Sequence, residues 1–216
     1  GNPQKVQRYI SDWADALDEM LKLDCEIFLP GHGFPILGKK RIKKALETTS
    51  KFLRTIEDQT LKLMNQGKSL NQVLHEVEIP NDLMELPWLT PIYDDPQFLI
   101  RMIWRRYGGW WDGEYDRLLP APRKEEALAW VELSSGIDNI ILKALEYLDK
   151  GNTKVAAQLI ETAFHADNNN DQMHHARAKI YREFSLKQSS SMGRNILNHA
   201  SMASAQGKRD LAQTED

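Results

Sequence analysis

Apolar residues recur at helical spacing along most of this chain, and the interruptions divide it into elements. Val6, Ile10, Trp13, Ala14, Leu17, Met20 and Leu21 share one face of a helix predicted over residues 4–22. The next apolar run, Cys25 to Leu29, is too short for a helix and reads as a short buried strand. A Pro30-Gly31-His32-Gly33 turn follows, placing an imidazole between two glycines at a strand-to-loop junction. A helix, a short strand and a glycine-flanked histidine together read as the closing unit of an α/β fold.

Beyond Gly38 the pattern becomes purely helical. Ile42, Ala45, Leu46, Thr49, Leu53, Ile56, Thr60, Leu63 and Met64 form one stripe, which predicts a helix over residues 39–66 ending at Gly67. At 1.5 Å per residue it would be about 42 Å long, a spine for other elements or an arm toward a partner subunit. Ser69 caps a short helix reaching Val77, and residues 80–96, with four prolines, read as irregular. Pro96 opens a helix over residues 97–106, which runs into the aromatic and glycine-rich loop Tyr107 to Gly113.

The last third predicts five helices, over residues 124–133, 137–148, 154–165, 172–186 and 193–205. Short turns between them imply antiparallel hairpins stacked side by side. Ala144, Ala156, Ala157 and Ala163 give these the small-residue pattern of tetratricopeptide-like hairpins, with too few repeats for a full solenoid.

Composition narrows the function classes. The 216 residues carry a net charge of −3, with a pI near 6.1 and a mean hydropathy of −0.54. No overall positive field attracts nucleic acid, and no apolar run of membrane-spanning length occurs. The single cysteine, Cys25, excludes an internal disulfide framework and a thiolate zinc finger but leaves the compartment open. The opening residues do not read as a signal peptide, and Gly1 in place of an initiator Met reads as the start of a fragment.

Several residues carry candidate chemistry. His32 is either an ordinary turn histidine or a metal ligand, and no closely spaced donors complete a zinc site around it. His174 and His175, adjacent on a helix, point about 100° apart and cannot face one ion, while His75, His165 and His199 stand alone. Lys39-Lys40-Arg41-Ile42-Lys43-Lys44 sets cations at a helix start, against the macrodipole, and reads either as a solvated basic face that salt screens or as a surface that meets an acidic partner or steers an anionic substrate toward His32. Tyr107 to Gly113 reads either as core anchors or as a pocket wall with Tyr107 and Asp112 as polar contacts. Arg194-Asn195 reads as a buried polar clamp between hairpins.

In order along the chain, these features resemble the alkyl sulfatase family of the metallo-β-lactamase superfamily. The matching residues are Pro30-Gly31-His32-Gly33 with Pro35-Ile36 and Gly38, Asp58-Gln59-Thr60 with Leu63-Met64-Asn65 and Gly67, and Ile79-Pro80. They continue with Tyr107, Gly109-Trp110, Asp112-Gly113, Leu119-Pro120 and Arg194-Asn195. The resemblance spans roughly residues 5–205. It implies a mainly α chain: a helical dimerisation domain with tetratricopeptide-like hairpins over residues 39–207, a truncated α/β (metallo-β-lactamase) remnant over residues 1–38, and a tail over 208–216.

In that family a two-zinc catalytic domain precedes the dimerisation domain and a sterol-carrier-like domain follows it. The family's upstream cluster of two histidines one residue apart followed by Asp-His, and its bridging glutamates, are absent from this sequence. The resemblance makes His32 a zinc ligand and Tyr107 a lining residue of the substrate pocket, and it assigns no catalytic residue here. Trp110-Trp111 and Glu114-Tyr115 depart from the family's usual wording. The implied activity of the parent enzyme is zinc-dependent hydrolysis of organic sulfate esters, in which metal-bound water is acidified to a pKa near 7. The 216-residue chain is expected to hold no zinc stably, to be inactive alone and to form a homodimer that covers the active-site mouth. Two other readings remain: a free-standing helical adaptor that binds a peptide, and a metallo-β-lactamase-fold hydrolase of another ester class.

Overall fold

The computed structural model describes residues 3–207, which form ten α-helices and two short strands. The tail over 208–216, and Gly1, lie outside the described residues. The chain is mainly helical, and it divides into two compact units between Leu118 and Leu119. That division falls inside the stretch 39–207 read above as one helical domain.

In the first unit α1 spans Ile10–Leu21 and begins later than the periodicity predicts. Val6 is exposed and gives an earlier turn no burial to hold it, and Tyr9 is extended at the N-cap. Of the stripe, Ile10, Ala14 and Leu17 are buried, whereas Trp13 and Met20 are exposed. The strand predicted next is one arm of a hairpin: β1 (Ile27–Phe28) pairs antiparallel with β2 (Ile36–Leu37), Ile27 opposite Leu37 and Phe28 opposite Ile36. It is not buried. With a single partner strand, Ile27, Leu29 and Leu37 stay exposed and Phe34 is 91 % exposed.

The spine is α2 (Lys39–Asn65), whose 27 residues extend about 40 Å. Its basic start meets acidic and aromatic neighbours. Lys39 pairs with Asp24, Lys43 lies 3.6 Å from Glu47, and the Lys44 ammonium sits 5.7 Å from the centre of the Trp88 ring. These contacts offset the unfavourable dipole at little cost in desolvation. Then α3 (Leu70–Glu76) opens with a reciprocal capping box between Ser69 and Gln72. The proline-rich stretch contains one turn of helix the pattern does not show, α4 (Asn81–Met84), which buries Leu83. Pro96 at the first turn and the Asp95 carboxylate, accepting from the Gln97 amide at 2.8 Å, start α5 (Pro96–Gly108).

The core of this unit packs α1, α3 and α5 around α2, with Ile10, Leu53, Ile56, Val73, Ile103 and Trp104 among its buried members. A single 3-10 turn at Tyr115–Arg117 precedes the end of the unit.

The second unit holds α6 (Arg123–Leu133), α7 (Ile137–Asp149), α8 (Thr153–Ala166), α9 (Asp171–Leu186) and α10 (Ser191–Ala205). Each lies within two residues of its predicted bounds, because each start carries a local signal. Asn152, Asn170 and Ser190 accept from the amides of Val155, Met173 and Gly193. Packing runs α7 on α8, α8 on α9 and α9 on α10, with α6 laid on α8. Fully buried Ala144, Ala156 and Ala163 let these helices approach closely around Ile160, Met173 and Ile180.

Candidate functional site

His32 sits at the tip of the β1–β2 hairpin, which is closed by the Gly38 amide donating to the Glu26 carbonyl at 2.8 Å. Gly33 beside it adopts φ +97°, a left-handed conformation that a side chain would strain. The imidazole is exposed and makes no hydrogen bond with the described residues. A catalytic zinc takes about three protein ligands and leaves one position open. Here His32 offers one donor, and no three His, Cys, Asp or Glu side chains among the described residues converge to hold an ion. The described residues therefore do not by themselves fit zinc.

Three other histidines are engaged elsewhere. His75 Nδ1 lies 2.7 Å from the Asn71 carbonyl oxygen and His175 Nδ1 2.8 Å from that of Asp171. His174 is buried between Ser204 Oγ (3.1 Å) and the Asn168 carbonyl oxygen (3.0 Å), so the adjacent pair does part as the helical angle requires.

Tyr107, on the last turn of α5, is half exposed, and its hydroxyl donates to Glu57 Oε1 of α2 at 3.1 Å. Glu57 is buried. The Arg106 guanidinium lies 5.3 Å from the Tyr107 ring centre and 4.8 Å from that of Tyr9, and it donates to Ser11 Oγ at 2.6 Å. A phenol edge is thus held at the surface by a buried carboxylate and a cation on its face. Trp104 is the buried aromatic; its indole N–H donates to the Trp111 carbonyl at 2.7 Å and fixes the loop that follows. The Leu70 amide donates to the Asp112 carbonyl at 2.8 Å. Gly113 is needed there: its φ is +86°, and a Cβ would stand 3.2 Å from the Ser69 Cα. Asp112 accepts from the Glu114 amide and from Arg117. Trp110 is exposed.

In the second unit the polar clamp is made by other residues than the sequence suggests. Arg194 and Asn195 are exposed, and Arg194 donates to the Gln188 and Ser189 carbonyls of the turn between α9 and α10. The buried clamp is Arg177 of α9. Its Nε donates to Glu161 Oε1 of α8 at 2.6 Å, and its Nη1 donates to Ser204 Oγ (2.9 Å) and the Ala200 carbonyl (3.1 Å) of α10. The guanidinium also stacks 4.4 Å from the Phe164 ring centre and 4.9 Å from that of Tyr181. Burial, and then the Glu161 carboxylate, push the Tyr181 phenol well above its ordinary pKa. Between α7 and α9 runs an open groove of about 560 Å³, lined by Ile141, Leu142, Leu145 and Ala176, with Asp138, His175 and Lys179 around it.

Glu57, Glu161 and Arg177 were legible as charges inside apolar stripes. Glu57 falls between Leu53 and Thr60 on the buried face of α2, and Arg177 between Met173 and Ile180 on that of α9. A charge at a buried register calls for a partner on the facing helix.

The profile of the family described as alkyl sulfatase dimerisation matches residues 69–207. The chain is similar to a linear primary-alkylsulfatase of a Pseudomonas species, 28% identical over 171 residues, covering 79% of this chain and 32% of the relative. It is also similar to the alkyl/aryl-sulfatase BDS1 of Saccharomyces cerevisiae, 27% identical over 183 residues, covering 84% and 28%. The solved structure of the stereoselective inverting sec-alkylsulfatase Pisa1 from Pseudomonas sp. superposes with a TM-score of 0.87 at 24% identity, over 93% of this chain and 32% of that one. The chain therefore spans about a third or less of the length of these relatives.

Proposed function

The chain belongs to the alkyl sulfatase dimerisation family, and from that premise we propose that it is the self-associating helical part of a hydrolase that cleaves organic sulfate esters. The family match over residues 69–207 carries this reading. The relatives' names, linear primary-alkylsulfatase and alkyl/aryl-sulfatase, supply the substrate class.

Within this proposal residues 1–38 are the closing helix and hairpin of a metallo-β-lactamase-like catalytic domain. Exposed Ile27, Leu29, Phe34 and Leu37 are the faces such a domain would cover. His32 contributes one imidazole to a two-zinc centre whose other ligands come from sequence outside these 216 residues. Tyr107 presents its ring edge to the substrate, oriented by Glu57 and Arg106. The chain itself then needs no catalytic residue: it positions one ligand and one pocket wall, and it joins two subunits.

Isothermal titration of the purified chain with zinc should show binding no tighter than one exposed imidazole gives, and incubation with dodecyl sulfate should release no inorganic sulfate. Turnover by the chain alone overturns its assignment as a non-catalytic part. Light scattering at micromolar concentration should return twice the 24.9 kDa chain mass.

A second reading, a helical adaptor for a peptide, draws support from the open groove between α7 and α9, whose apolar floor and charged surroundings suit an extended or helical segment. Immobilised peptide libraries of apolar-anchor sequences would capture the chain under that reading and leave it unbound under the first.

A further inference from the structure

The helix α5 carries three arginines and no acid. Arg106 is engaged by Ser11, Asp12 and two tyrosine rings, whereas Arg101 and Arg105, four residues apart, make no hydrogen bond or ion pair with another described residue. Like charges at that spacing oppose the helix unless an anion lies against them. The loop after α5 brings a third guanidinium close. Trp104 anchors that loop, its indole N–H donating to the Trp111 carbonyl and its ring standing 3.9 Å from where a Cβ on Gly113 would be. Arg101, three residues before Trp104, shares that side of α5. Asp112, between the two anchor points, accepts from Arg117 Nη1 at 3.2 Å and, through its other oxygen, from the Glu114 amide at 3.0 Å. Two guanidiniums thus share one carboxylate, already engaged at both oxygens. Glu114 and Asp116 lie on the same loop but form no ion pair with either arginine, and of the loop's charges Arg117 and Asp112 are the ones that act on Arg101. Arg101 is accessible, yet desolvation by the surrounding protein lowers its pKa and the Arg117 charge lowers it again, with Asp112 opposing. A group both accessible and desolvated stands in a recess that opens to water. Tyr115, 86 % exposed, begins the turn that carries Arg117 and meets the Trp111 ring edge-on at 5.7 Å.

We infer that Arg101 and Arg117 form a binding site for a tetrahedral oxyanion of the sulfate type. Each guanidinium can offer a pair of parallel N–H groups, a geometry that matches two oxygens of such an anion. Asp112 orients Arg117, and the oxyanion supplies the acceptor that Arg101 lacks. The same carboxylate repels the anion, so affinity is modest and tunable at that residue. The oxyanion is either free or the head of an organic ester, and the exposed Tyr115 ring gives the organic part of an ester a surface to lie on. The site does not depend on the activity proposed above.

The test is titration of the full chain with sodium sulfate and, separately, with hexyl sulfate, read by the arginine Nε–H signals in NMR spectra. Ionic strength is held constant to remove general screening, and circular dichroism checks the fold. Saturable shifts of the Arg101 and Arg117 signals, with a dissociation constant below about 10 mM, are expected. Arg101→Gln and Arg117→Gln should each weaken binding about tenfold. Asp112→Asn keeps the acceptor for the Glu114 amide, removes the competing charge and should tighten binding several-fold, a gain that loss of fold would not give. Lys154→Gln, at an exposed cation of α8, should change nothing. Tighter binding of hexyl sulfate that is lost in Tyr115→Ala identifies the ester head as the ligand, and equal affinity for the two identifies the free anion. Wild-type shifts that only rise linearly with both ligands overturn the site. So does saturable binding that survives Arg101→Gln and Arg117→Gln, or that weakens in Asp112→Asn.

Discussion

In the first unit the charged links between helices lie at the surface. Arg54 of α2 reaches Asp15 (2.7 Å) and Asp18 of α1 with all three side chains substantially exposed, and its hydrogen bond holds the Asp18 carboxyl below the ordinary value. In the second unit the link is inside. Arg177 is buried, bonded to Glu161 and Ser204 and stacked on two rings, and it ties α9 to α8 and α10. The difference follows from side-chain size. Around α2 the core is built largely of Leu, Ile and Trp, which fill the space between helices and leave the Arg54 ion pairs outside. Around α8 it is built largely of alanine, and close approach leaves one gap that a flat guanidinium fills. An exposed pair contributes about 0–1 kcal/mol. A buried one costs far more to break than it gains, because the abandoned partner stays out of water.

The largest expected effect therefore lies in the second unit. Arg177→Ala leaves Glu161 without its main partner and opens a void between two rings, and should destabilise the fold by about 3–5 kcal/mol. Arg54→Ala in the first unit should cost less than about 1 kcal/mol and be masked by salt. Urea denaturation measures both, and hydrogen exchange locates them: the first should deprotect α8 to α10. Equal costs for the two would break the comparison.

The same contrast shows what the sequence could reveal. The five helices of the second unit were legible to within two residues because asparagine or serine caps open three of them and glycine turns separate others. The first helix was misplaced because Val6 matches the period but finds nothing to pack on. The predicted buried strand came out as an exposed hairpin for a related reason: four apolar-leaning residues fix a tendency, and burial depends on what lies across from them. Tyr107 was legible as a candidate from its aromatic and glycine setting. That Glu57, fifty residues earlier, is its partner was not, since only the packing of α5 on α2 brings the two together. The Arg194-Asn195 clamp failed because position on a helix face decides burial, and Arg177 holds the inward one.

A middle-sized effect tests whether the first unit has any buried polar dependence at all. Tyr107→Phe removes the hydroxyl that donates to buried Glu57 and should cost about 1–2 kcal/mol. Thr60, fully buried with a hydroxyl that has no partner among the described residues, should behave oppositely. Thr60→Val keeps the shape and should stabilise by about 1 kcal/mol. If both substitutions are neutral by urea denaturation, the first unit relaxes around its polar groups more freely than its core packing implies.

The smallest effect is a pH dependence confined to the second unit. Burial holds the His165 imidazole below its ordinary pKa; Glu161 and Glu126 favour its charged form, while Arg123 and Arg177 oppose it. Because the folded value is the lower one, the unfolded chain takes up the proton first. Stability is then full above about pH 6.5 and falls as pH drops through the depressed folded value. Protonation would also place a cation near Arg177, whose pairing with Glu161 joins the helices. His165→Gln should flatten the loss between about pH 7 and 5 in urea midpoints, with α8 and α9 exchange as the local readout. A slope that persists in the variant would show that His165 does not carry the acid sensitivity; Asp18, whose folded value is also lowered, titrates below that window and would not supply it.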